Sequence, residues 1–94
     1  MEEKDIDMAF FKKFDNGDKI FAQVFRKAKK EIVLQDEDEF IESMGQQIKE
    51  DHGLSKDDAS RYASLIYRIW EERCACSMTS FDQEISSLKR KIFA

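Results

Sequence analysis

The sequence contains no proline, only three glycines, a single histidine and no long apolar run, and each shortage excludes something. Without Pro, and with so little Gly, the chain lacks the punctuation of turn-rich β folds, so long helices become the default. Its longest apolar stretches, such as residues 8–11 and 32–34, fall far short of the roughly 20 residues that a bilayer span requires. No membrane crossing is therefore expected. The first eight residues, MEEKDIDM, are acidic where a secretory signal would be basic and then apolar, so no export signal is expected. Cys74 and Cys76 lie two positions apart, on different sides of a helix, which is poor geometry for pairing with each other. Reduced thiols and a cytoplasmic location are the expectation.

What is present points to one folded unit. A chain of 94 residues has room for a single core and none for a second, so one helical domain over 1–94 is expected. Hydrophobic residues at 41%, with eight Phe among them, separate it from disordered acidic tails. Residues 54–78 form the longest stretch with helical periodicity and contain the only Trp. At about 100° per residue, Tyr62, Ile66, Ile69 and Trp70 fall with Ala59, Ala63, Leu65 and Tyr67 on a broad apolar arc, and Arg73 intrudes on it. One neighbouring helix is too narrow to cover that arc, so this helix should be central.

Four further helices are expected around it. Ile6, Ala9, Phe10 and Phe14 recur at helical spacing, with Asp5 as a possible cap and Asp15-Asn16-Gly17 as a stop. From Asp18 the apolar set Ile20, Phe21, Val24, Phe25, Ala28 and Ile32 continues on one face to about Val33. Asp36 can cap a third helix striped by Phe40, Ile41, Met44 and Ile48, which His52-Gly53 would end. Ser55 with Asp58 resembles the start of a capped fourth helix, which would run to Cys76. Ser80 with Gln83 would cap a fifth, striped by Phe81, Ile85, Leu88 and Ile92. The expected fold is an all-α compact bundle of about five helices. The alternative is α+β, because Asn16-Gly17 between apolar runs is also a strong signal for an N-terminal β-hairpin.

Charge is unevenly distributed. Residues 12–31 carry seven basic side chains against three acidic, whereas residues 35–58 carry nine acidic against two basic. Candidate chemistry is sparse. Aligning Gly17 with the sixth position of a calcium loop leaves Lys12 and Phe14 where oxygen ligands belong. Cys74, Cys76 and His52 are too few and too scattered for a structural zinc site. His52 has no nucleophile or orienting carboxylate at a recognisable spacing, and Glu37-Asp38-Glu39 has no apolar surroundings to raise a carboxyl pKa. No metal, cofactor or catalytic residue is assigned, and the protein is expected to be non-enzymatic.

Three binding roles remain. The first is a small protein-interaction module acting stoichiometrically and self-associating through the fourth helix, with Tyr62, Ile66, Ile69, Trp70 and Arg73 at the interface, because aromatic residues and Arg are enriched in interface cores. The second is an acidic inhibitor whose Asp36, Glu37, Asp38, Glu39, Glu42, Glu50 and Asp51 dock on a basic nucleic-acid-binding surface of a partner protein. The third and weakest is a small DNA-binding regulator using Arg26, Lys27, Lys29 and Lys30. A helix-turn-helix at Gly53 is disfavoured, since Asp57 and Asp58 would meet the DNA.

Overall fold

The computed structural model describes residues 8–74 and 77–93. Five helices follow one another: α1 (Met8–Lys12), α2 (Gly17–Glu31), α3 (Glu37–His52), α4 (Lys56–Arg73) and α5 (Met78–Phe93). There is no strand among the described residues, so the bundle reading holds and the hairpin alternative does not. Asn16 takes the left-handed conformation, φ 58° and ψ 33°, but uses it to join two helices: its carbonyl accepts from the Lys19 and Ile20 amides and so opens α2. The residue pair that favours a hairpin turn is equally suited to a tight helix-to-helix corner, and the 3.6-residue apolar periodicity after it decides the outcome.

The remaining boundaries follow local capping chemistry. Asp36 accepts from the Glu39 amide at 2.9 Å while the Glu39 carboxylate accepts from the Asp36 amide at 3.3 Å, a reciprocal pair that starts α3. Gly53, at φ +66°, closes α3 with its amide donating to the Lys49 carbonyl, and Ser55 starts α4 by accepting from the Asp58 amide. Several boundaries differ from the sequence expectation, with α1 ending at Lys12, short of Phe14, and α2 ending at Glu31, short of Val33. α4 ends at Arg73, with Cys74 at its C-cap, rather than running to Cys76, which lies outside the described residues, as do Asp5 and Ile6. α5 starts three residues early because Ser77, not Ser80, supplies the cap, accepting from the Ser80 amide at 3.3 Å. Either serine keeps Phe81 on the inward stripe; the earlier start also seats Met78 against the core.

One hydrophobic cluster draws on all five helices. α4 is central to it, touching α3, α5 and α1. Phe40 of α3 stacks on Tyr67, Phe81 of α5 meets Trp70 edge-on at 5.1 Å, and Phe10 and Phe11 of α1 close on Tyr62 at 5.9 and 5.0 Å. Three neighbours together cover the arc that one could not. Contacts between Phe40 and Tyr67, and between Gly45 and Ser60, show that α3 and α4 lie side by side as an antiparallel hairpin along most of their length. A helix-turn-helix diverges from its turn, so this pairing removes that geometry.

Candidate interaction surfaces

Of the proposed interface residues of α4, all but the exposed Arg73 lie inside the protein. Tyr62 and Ile69 are wholly buried, Ile66 is 1% exposed and Trp70 5%. The breadth of the arc is thus explained by core packing within the chain. Arg73 is satisfied internally too, its guanidinium donating to the Glu84 carboxylate of α5 at 2.6 Å.

Tyr62 has a feature that sequence could not disclose. Its side chain is enclosed by Phe10, Phe11 and Phe14, and its hydroxyl is buried without a hydrogen-bond partner among the described residues. Burial pushes the phenol well above its ordinary value of 10.0. Because the unfolded chain ionises first, stability is complete below about pH 10 and falls as the pH rises past it. Tyr62→Phe removes a desolvated hydroxyl while keeping the ring, and is expected to leave the fold unharmed or raise its stability by about 1 kcal/mol. It should also flatten the loss of stability measured by denaturant titration between about pH 9 and 11; a loss of more than about 1 kcal/mol at neutral pH would show that the hydroxyl is bonded.

The basic segment of α2 is divided by the fold. Lys27 reaches the Asp51 carboxylate of α3, and Lys29 reaches Asp82 of α5 at 3.0 Å, so these two tie α2 to its neighbours. The Lys27 hydrogen bond holds the Asp51 carboxyl below its ordinary value, a contribution present at neutral pH and lost as the pH falls below about 3.8. Arg26 and Lys30 remain exposed and make no ion pair among the described residues. Beside Arg26, α2 and α5 enclose a groove of 250 Å³ whose floor is Phe21, Phe25 and Ile85 and whose edges carry Arg26, Lys29 and Lys89.

The acidic candidates are also sorted by the structure. Asp36 and Glu39 are engaged in the α3 cap, Asp51 is held by Lys27, and Glu50 accepts from Gln46. Glu37, Asp38 and Glu42 are exposed and make no ion pair among the described residues. The antiparallel hairpin brings the start of α3 beside the end of α4, where Glu71 and Glu72 are exposed as well. These two were missed in sequence because they are 32 or more positions from the Asp36–Glu39 run and only the hairpin register unites them. Val33 and Leu34 protrude just before this acidic end, 55% and 78% exposed.

Folding therefore converts a polarity along the chain into one between surfaces. Residues 36–73, the α3–α4 hairpin, carry eleven acidic and five basic side chains. Residues 8–31 and 77–93, which supply α1, α2 and α5, carry ten basic and five acidic. Among the described residues, no charged side chain is buried and no three His, Cys, Asp or Glu side chains converge as metal ligands. No helix of the structure is long and apolar enough to cross a membrane. Comparison of the chain with family models, with curated proteins and with solved structures found no match. What defines the protein here is its class: an all-α bundle with charge segregated over its exterior.

Proposed function

We propose that this is a small interaction module that acts stoichiometrically and docks its acidic α3–α4 face on a basic surface of a partner protein, of the kind that otherwise holds nucleic acid. The observation that carries this reading is the exposed group Glu37, Asp38, Glu71 and Glu72 at one end of the hairpin, none of which makes an ion pair among the described residues. Like charges held together on rigid helices raise the local potential and steer an oppositely charged partner. The capping hydrogen bonds engage Asp36 and Glu39 and leave the carboxylates of these four facing solvent. A cytoplasmic setting suits the reading, since such partners and reduced cysteines are found there.

The test is a fourfold charge reversal, Glu37, Asp38, Glu71 and Glu72 each to Lys. The wild-type chain is expected to capture basic proteins that salt releases and nucleic acid displaces, and the reversed chain to lose them while retaining its helical signal. Capture that survives the reversal would overturn the proposal.

A further inference from the structure

We infer that the α2–α5 groove is a docking site for a second copy of this chain, which inserts its Leu34 tip and the acidic start of its α3. Two complementary features on one molecule support this. The groove has an apolar floor of Phe21, Phe25 and Ile85 edged by three cations, of which Arg26 and Lys89 have no ion-pair partner among the described residues. The tip has the inverse arrangement, an exposed Leu34 followed within a few residues by the carboxylates of Glu37 and Asp38, which make no ion pair among the described residues. Leu34 is the most exposed large apolar side chain described, at 78%. Its backbone is nevertheless fixed, because its amide donates to the Glu31 carbonyl at 3.0 Å, so the side chain is presented by a built turn. A fixed apolar knob beside a charge, matched to a concave apolar patch of opposite charge, is the anatomy of an interface anchor.

Tip and groove are different surfaces, so the contact is head-to-tail and leaves a free tip at one end and a free groove at the other. Association therefore grows with concentration into open chains unless the rotation closes it into a ring. It weakens as salt screens the charged pairs. The contact shares the acidic end of the hairpin with the docking face proposed above and rests on that reading only for the exposure of Glu37 and Asp38.

Light scattering coupled to size exclusion at increasing concentration and low salt tests the inference. The wild-type chain should gain mass with concentration, and Leu34→Asp should raise the apparent dissociation constant by about 30-fold or more. The double variant Arg26→Glu, Lys89→Glu should do the same. Both sets of changes are at exposed positions, and thermal unfolding of each variant should match the wild type. Mixing the two variants is the decisive arm. One retains a groove and the other a tip, so the mixture should give a one-to-one pair and nothing larger. A wild type that stays monomeric, Leu34→Asp that associates normally, or a mixture that fails to pair would each overturn the inference. Leu34→Asp keeps every acidic residue, so its capture of a basic partner reports separately on the proposed function.

Discussion

Trp70→Ala is expected to lower stability by about 3 to 5 kcal/mol, the range for truncating a large buried aromatic side chain. Trp70 sits where α4 meets α5, 5% exposed and edge-on to Phe81, with Cys74 buried one turn on. A chain of 94 residues has only about 5 to 15 kcal/mol of stability in total, so the variant should be partly unfolded at ambient temperature or melt far earlier than the wild type. Chemical denaturation followed by circular dichroism checks this. The competing outcome is specific: near-normal stability with altered association would mean that Trp70 anchors an interface, against its burial in this fold. Relaxation of the neighbouring Phe81 ring into the space would place the loss toward the lower end of the range.

Gly17→Ala is the second large effect, and two opposing terms decide its sign. Ala is the better helix former by about 1 kcal/mol, and Gly17 opens α2. A β-carbon there would stand 2.8 Å from the Phe11 carbonyl oxygen and 3.1 Å from the Phe93 ring. The first of these is backbone and cannot swing aside, so α1 must move off α2 and disturb Phe11, which is fully buried against Phe21 and Tyr62. Overpacking of this kind costs about 1 to 3 kcal/mol and exceeds the propensity gain. Gly45→Ala is the internal control. Its nearest neighbours lie 3.6 Å away, ordinary contact, so the same substitution there should raise stability by about 0.5 to 1 kcal/mol. Melting curves of the pair should shift in opposite directions; a shared direction would mean that the corner before α2 yields.

Much of the architecture is legible in the sequence because the signals are local. Helix spacing, the Asp36 cap, Ser55 and the Gly53 stop each depend on residues a few positions apart, and each appears as expected. The ambiguous Asn16-Gly17 corner and the choice between Ser77 and Ser80 were less legible, since two local solutions exist and packing chooses. The role of the α4 arc was legible only in part: its breadth marked the helix as central, but not that neighbours within the chain cover it. Periodicity tells how wide an apolar face is, not how many neighbours come to cover it, and α1, α3 and α5 together do so. The same limit hides Glu84 as the partner of Arg73, and Leu34, which belongs to an apolar run yet points into solvent.

The opposition of a net-negative hairpin to the net-positive remainder has a kinetic consequence. Separated over a body of 31 × 31 × 25 Å, these charges give the protein a permanent electric moment. In the field of any charged surface it experiences a torque, and it turns to present one end before contact is made. Orientation is ordinarily the slow part of encounter, cutting association to about 10⁵–10⁷ M⁻¹s⁻¹. A protein that arrives already aligned recovers part of that loss, and the gain disappears in salt because it acts across distance rather than through touch.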